Sequence, residues 1–362
     1  MRSYNHLMER YLSEDNYYLA VHNATVHKGG KKRKYRKARY YRDHAEEFKD
    51  GILEYAEYFY NAEHDPKLIY DGIRRKQRTI IVPAMEEQIV HHMIVNILKP
   101  VFMRSMYAHS YGSIPGRGAH AAKRRVEGWI RDGGHSVDYC LKLDIRKYFD
   151  SIPHDILKAK LAGLIHDQKF LDVLYEVIEA TGTDRGIPIG FYTSQWLANW
   201  YLTGLDHYIK EVLRVEHYIR YMDDMVIFGS DKQRLHQMKA EIEGYLEERL
   251  GLQLKGNWQV FLFSTPDGRG RDLDFMGFRF FRGRTTLRKS IMLKATRKAR
   301  KICGKWRKDI HDCRQMLSYL GWLRCTDTYG MYRKRIKPFV SFRNLRRYEG
   351  MYQEWQDAER SA

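Results

Sequence analysis

Runs of apolar residues with two distinct periods divide the chain. Residues 45–62 (AEEFKDGILEYAEYFYNA) space Ile52, Leu53, Ala56, Phe59 and Tyr60 along one helical face. An Asp65-Pro66 break follows, and then LIYDGI and TIIVP flank the basic turn RRKQR as a hairpin. AMEEQIVHHMIVNILKPVF (84–102) reads as an amphipathic helix ended at Pro100. SYGSIPGRGAH (110–120) is a Gly/Pro-rich loop leading into a helix at 119–131. Val137, Tyr139, Leu141, Leu143 and Ile145 alternate with polar or small positions, which predicts a strand. A helical stretch at 154–180 and a turn-rich connector at 181–190 come next. Residues 191–213 carry two apolar stripes and predict a buried helix, with His91-His92 placed on or under another helix rather than on a metal. HYIRYMDDMVIFGS (217–230) is two short apolar runs around Asp223-Asp224, a hairpin with acids at its turn. A charged helix at 231–250 stops at Gly251, DLDFMGFRFFRG (272–283) is a strand pair bent at Gly277, and the chain beyond about 285 is helical. The pattern is α+β, without internal repeats.

Composition narrows the class. The 362 residues are long enough for a large core in two or three subdomains. The absence of a long apolar run argues against a membrane protein, and the charged N-terminus lacks the apolar stretch of a signal peptide. Four scattered cysteines suit a reducing cytosol, so a cytoplasmic location is expected. The net charge of +19 is concentrated. Residues 28–42 (KGGKKRKYRKARYYR) hold nine Lys/Arg and no acid, and residues 282–347 hold 21 Lys/Arg against three acids, leaving the remainder net acidic. Basic blocks interleaved with aromatics favour a phosphate backbone with stackable bases. A solvated basic tail and an exposed helix face are the plainer reading.

Acids embedded in β-type apolar runs need a partner, because an unpaired buried carboxylate is costly. Asp144, Asp223 and Asp224 are such acids, and a divalent metal with hard oxygen ligands is the economical partner. An ordinary acidic turn competes, since Asp is a common turn residue.

At these residues the sequence resembles the reverse transcriptases. Tyr221-Met222-Asp223-Asp224 matches their Tyr-x-Asp-Asp hairpin, and LKLDIRKYFDSIPHDIL (141–157) resembles the first catalytic motif of the bacterial and group II intron branch. SYGSIPGRGAH, SQWLANWYLTGLD and FMGF (275–278) resemble further blocks in the same order across roughly residues 65–330. The resemblance implies a right-hand polymerase fold, with a basic N-terminal extension at 1–44, fingers at 45–135 (154–185 contributing), an antiparallel palm sheet backed by helices at 136–283, and a basic helical thumb at 284–362. It implies two Mg²⁺ ions, with Mn²⁺ as a substitute, held by Asp144 and Asp223 with the Ile145 carbonyl, and Asp224 in support. Lys76, Arg78, Lys147, Tyr148, Phe149, Ile189 and Gly190 would bind the deoxynucleoside triphosphate (dNTP), with Phe149 as steric gate. Phe275, Met276, Gly277 and Phe278 would grip the primer. Lys31, Lys32, Arg33, Lys34, Arg36, Lys37, Arg297, Lys298 and Lys301 would bind nucleic acid. For Lys76 and Arg78 a solvated turn is the alternative, and for Phe149 core packing.

One departure is informative. The usual QGxxxSP block reads Ile189-Gly190-Phe191-Tyr192-Thr193-Ser194-Gln195, which is similar to reverse transcriptases of diversity-generating retroelements. Those imply error-prone cDNA synthesis opposite template adenine, a template RNA and a small basic accessory protein, in a bacterial, archaeal or phage setting, with oligomeric assembly as an option. Ile189 cannot hydrogen-bond, so one constraint on pair geometry is given up, unless it only fills the core. A retron-like or phage-defence enzyme is the rival subclass, and a catalytically silent RNA-binding scaffold the rival class. Lys255 lies near the position of a further family lysine, with its register left open. The length leaves no room for RNase H, endonuclease or integrase domains, an expectation like the others.

Overall fold

The computed structural model describes residues 4–26, 36–71, 76–305 and 309–361. LIYD and KQRTI form the hairpin strands β1 (Lys67–Asp71) and β2 (Lys76–Ile80), antiparallel with Leu68 opposite Thr79 and Tyr70 opposite Gln77. The central sheet takes β3 (Ser110–Tyr111), β4 (Tyr139–Asp144), β5 (His217–Tyr221), β6 (Asp224–Gly229) and β7 (Gln259–Leu262), in the order β3-β5-β6-β4-β7. Two residues join β5 to β6, so that pair runs antiparallel. The short β3 edge pairs parallel with β5, Ser110 opposite Arg220. The inner residues of β5 and β6 are buried on both faces, as their unbroken apolar runs require. A separate sheet of β8 (Leu273–Phe275), β9 (Phe278–Phe281) and β10 (Arg284–Leu287) has the order β10-β9-β8.

The chain divides into two compact units. The first takes residues 1–118, 141–227 and 233–259; the second takes 119–140, 228–232 and 260–362. In the first, helix Met85–Met103 is buried along most of its length and packs on helix Tyr192–Tyr201, with Phe102 stacked on Trp200 at 4.7 Å. Each such side chain contributes about 1.5–3 kcal/mol by leaving water. The helix runs past Pro100, the expected stop. The proline forfeits only the bond to the Asn96 carbonyl, and the buried Val101 and Phe102 hold the last turn.

Two further segments differ from expectation. The helical stretch 154–180 is two helices, His154–Ala162 and Gln168–Glu179, with Asp167 capping the second through the Phe170 N–H. Asp167 also accepts from Met8 N–H at 2.8 Å, and Tyr4 bridges to Ile165. Residues expected as an extension therefore join the core: Tyr11 and Tyr17 are fully buried, and Asn16 donates to the Met93 carbonyl. In the second unit, helices Lys289–Cys303, Ile310–Arg324, Tyr329–Arg335 and Phe342–Ser361 follow the small sheet. Asp312 sits between Lys298 and Lys305, whose hydrogen bonds hold its carboxyl down at about 2. Among the described residues no helix is long and apolar enough to cross a membrane.

Candidate active site

Two neighbouring strands bring three acids together. Asp144 ends β4, and Asp223 and Asp224 lie at the β5–β6 turn, where Met222 takes a left-handed φ of 57°. That conformation is uncommon for a side-chain-bearing residue and needs support. Arg220, wholly buried, supplies it by donating from Nη1 to the Met222 carbonyl at 3.0 Å. Its Nε and Nη2 reach Asp206 at 2.8 and 2.5 Å, and Nη2 also donates to the Asn199 carbonyl. Tyr218 donates to Asp206, and Asn199 Nδ2 donates to the Gly112 carbonyl at 3.0 Å. Gly112 has φ +93°, and a Cβ there would lie 2.9 Å from the Met222 side chain, so the Gly-rich loop can pass this close to the hairpin only as glycine. Burial opposes the Arg220 charge, but Asp206 more than offsets it.

The acids repel one another in a partly closed space. Burial, and then Asp144, push the Asp223 carboxyl up, while Arg78 pulls it down. Burial pushes Asp224 up to about 7, with Lys142 opposing and Asp144 and Asp223 adding to the rise. The Asp224 side chain keeps 29% of its surface open, yet its Oδ1 is shut from water without a hydrogen-bond partner among the described residues. Two ammonium groups stand on the cluster: Lys142 lies 3.3 Å from Asp224, and Lys255 donates to Asp144 Oδ2 at 2.6 Å. The Lys255 backbone N–H also donates to the Asp144 carbonyl, at 2.8 Å. Among the described residues no three His, Cys, Asp or Glu side chains form a closed metal cage. An orphaned carboxylate oxygen beside two further acids still suits a hard cation that keeps water and phosphate among its ligands.

These shifts set a pH dependence. The Asp224 carboxyl titrates near its ordinary 3.8 when unfolded and near 7 when folded, so the stability gained from its protonation is complete below 3.8 and lost as pH rises through 7. In metal-free buffer the melting temperature is expected to fall from pH 5 to pH 8. Asp224→Asn should flatten that slope, as read by thermal unfolding across the range.

The other expected contacts fall in several places. Arg78 is exposed on β2 and bears on Asp223, while the Lys76 side chain lies outside the described residues. Lys147, at φ 46°, precedes the short helix Tyr148–Ser151. Tyr148 is buried and donates to the Ala198 carbonyl, and Phe149 is half-buried. Ile145 is buried and its backbone bridges Leu254. The half-buried Ile189 accepts the Ile81 N–H at its carbonyl at 2.8 Å, and Gly190 follows at φ +127°. A Cβ there would come within 1.8 Å of the Ile81 carbonyl oxygen, so this approach of the β2 exit to the connector depends on glycine. His91 is buried against Glu87, Phe191 and Thr193, inside the core as expected.

In the second unit Met276 and Gly277, at φ 53° and 91°, turn the β8–β9 hairpin. Phe275 and Phe278 are buried, and Phe278 packs on Trp322 at 4.8 Å. Arg297 and Lys301 are exposed on helix Lys289–Cys303. Lys298 is a correction: its side chain is 12% exposed and bound to Asp312 at 2.5 Å, so a phosphate would have to displace an acid to reach it. Lys31, Lys32, Arg33 and Lys34 lie outside the described residues. Arg36 is exposed, and Lys37 pairs with Glu86 at 3.0 Å. Sequence reasoning missed Arg220, Asp206, Asn199 and Lys142. The signal for Arg220 was a lone charge inside the strand HYIRY.

Comparison with known proteins places this geometry. The pattern of the family Reverse transcriptase (RNA-dependent DNA polymerase) matches residues 65–280, more than half the chain. Protein YkfC of Escherichia coli is 26% identical over 220 residues, 49% of this chain and 58% of the relative. The group II intron-encoded protein LtrA of Lactococcus lactis is 25% identical over 146 residues, 38% of this chain and 24% of LtrA. The chain thus spans little more than half of the first relative and a quarter of the second. The solved structure of apo telomerase from Candida tropicalis has a TM-score of 0.50 at 15% identity, over 75% of this chain and 57% of that one. The α+β architecture, with its sheet backed by helices, is the right-hand polymerase fold, and the chain belongs to the reverse transcriptase family.

Proposed function

We propose that the chain is an RNA-directed DNA polymerase that copies a template RNA into cDNA. The growing 3′-hydroxyl attacks the α-phosphate of a dNTP and pyrophosphate leaves. The convergence of Asp144, Asp223 and Asp224, with one buried oxygen left unpartnered, carries this reading. Asp144, the Ile145 carbonyl and Asp223 would hold two Mg²⁺ ions, or Mn²⁺ in their place, with Asp224 in support. Bound there, the ions would neutralise charge on the reacting phosphate oxygens. The chain's own part is positioning. Arg78, whose charge bears on Asp223, and Lys76 on the same strand would meet the triphosphate. The backbone at Lys147 and Tyr148 would meet it from the other side, and Phe149 would pack against the sugar. The assignment of fingers, palm and thumb to 45–135, 136–283 and 284–362 is part of the proposal, as is the primer grip at 275–278. Mg²⁺-dependent dNTP incorporation on a primed RNA template, wild type beside Asp223→Asn, tests it; no incorporation by the wild type rejects the polymerase reading, and equal incorporation by both rejects the metal assignment.

Within this activity we assign the chain to the diversity-generating type, error-prone opposite template adenine, with a template RNA and a small basic accessory protein as partners. Ile189-Gly190 supports the assignment: its backbone is tied to Ile81, while its aliphatic side chain offers no hydrogen bond to a nascent pair. A single polar contact is worth about 1–3 kcal/mol of discrimination, roughly 10–200-fold. Ile189→Gln is therefore expected to lower misincorporation opposite adenine by at least tenfold, as read by sequencing cDNA from a defined template. An unchanged error spectrum removes this assignment and leaves the polymerase reading standing.

A further inference from the structure

The helices Ile310–Arg324, Tyr329–Arg335 and Phe342–Ser361 line a half-open cavity of about 540 Å³. Three rings form a ladder into it. Tyr329 lies 6.0 Å from Tyr332, and Tyr332 stacks on Phe342 at 5.9 Å with an interplanar angle of 26°. Tyr329 is 66% exposed, Tyr332 half-buried and Phe342 buried, so the ladder runs from solvent to core. An outermost ring left open is apolar area awaiting a planar partner, unlike Trp322, which is packed on Phe278 in the same unit.

Arg324, Arg343 and Arg346 line the same cavity, and among the described residues no acid does. All three are exposed, and their side chains make no hydrogen bond or ion pair among the described residues. On the same two long helices Arg314 does pair, with Glu349 at 3.0 Å. Three arginines around one cavity, none held by an acid, can meet the phosphates of one ligand. A nucleotide joins a flat apolar face to an anion and so meets both the open ring and the arginines. Its base must be unpaired, because a base inside a duplex is already stacked on both faces.

We infer that this cavity binds an unpaired nucleotide of a single-stranded RNA segment, its base stacked on Tyr329 and Tyr332 and its phosphates on Arg324, Arg343 and Arg346. The inference rests on the nucleic-acid reading above and not on catalysis. Single-strand sites combine base-stacking rings with basic grooves, and stacking on one ring is worth about 1–3 kcal/mol, roughly 5–150-fold in affinity. The ligand is RNA rather than protein because the surrounding block, residues 282–347, carries 21 Lys/Arg against three acids.

The test measures binding of the full chain to a fluorescent 12-nucleotide oligouridine and to a blunt 12-base-pair RNA duplex. Tyr329→Ala is expected to weaken oligouridine binding about tenfold and duplex binding less than twofold. Tyr329→Phe, which keeps the ring, should restore the single-strand affinity. Arg343→Gln with Arg346→Gln should make the salt dependence shallower by about 1.4 in log–log slope. Tyr329 and the two arginines are exposed, so these variants keep the fold, which circular dichroism checks. Unchanged oligouridine affinity in Tyr329→Ala overturns the proposal, and so does an equal loss for duplex and single strand. Absence of wild-type incorporation on a primed template, with the single-strand preference intact, would instead reject the polymerase reading and leave the pocket.

Discussion

Asp223→Asn is expected to reduce dNTP incorporation on a primed RNA template by roughly a thousandfold or more while raising the melting temperature by a few degrees. Both effects come from the same geometry. The Asp223 carboxyl is half-buried and close to Asp144, so its ionised form is disfavoured in the folded state. Replacing it with a neutral side chain of the same shape relieves that repulsion, and about 1 kcal/mol moves the midpoint of a unit this size by about 2–4 °C. The charge is what the reaction needs. Removing one preorganised group that stabilises developing charge costs about 3–4 kcal/mol, and Asp223 would also lose its hold on the metals. A merely structural acidic turn behaves in the opposite way, with activity and stability falling together. Incorporation assays with Mg²⁺ and with Mn²⁺, beside thermal unfolding in a chelator, separate the two outcomes.

The acid-bearing hairpin was legible because it breaks a local rule: two acids interrupt β-type apolar runs in HYIRYMDDMVIFG, and only a special environment tolerates that. The strand ending at Asp144 and the hairpin bent at Gly277 were legible for similar local reasons, through alternation and a glycine at a turn. What escaped is non-local. Nothing in residues 4–26 announces that Tyr11 packs on Phe170 or that Asn16 reaches the Met93 carbonyl, because a short polar amphipathic segment looks alike docked or free. Lys298 sits in a basic helix and looks like its exposed neighbours, and only the fold brings Asp312 to it. Lys142 looks like any strand lysine, and Lys255 has only an open register in the sequence, until β4 and the segment after Gly251 set them on Asp224 and Asp144.

Arg220 is expected to control both folding and the aim of the hairpin, and the two roles can be separated. Arg220→Met alone leaves Asp206 buried without its guanidinium, a loss of about 3–5 kcal/mol, a large share of the 5–15 kcal/mol typical of a folded protein. Poor yield of that variant therefore says nothing about position. The informative protein is the triple variant Arg220→Met, Asp206→Leu, Tyr218→Phe. It replaces the ion pair with apolar groups and leaves no Tyr218 hydroxyl orphaned. Exchanging a whole buried pair for well-packed apolar residues is often neutral or stabilising, so this variant is expected to fold. It nonetheless lacks the donor to the Met222 carbonyl, and Met222 stands in a left-handed conformation directly before Asp223. Freed of that bond, the turn can relax, and a displacement of about 1 Å at a reacting group costs about a hundredfold. Incorporation should therefore fall by about two orders of magnitude in kcat, with KM for the dNTP changed less than threefold, since Arg78 and the β2 backbone are untouched. Recovery of wild-type kcat together with wild-type stability would show that Arg220 only fills a hole in the core and that the hairpin holds its own shape.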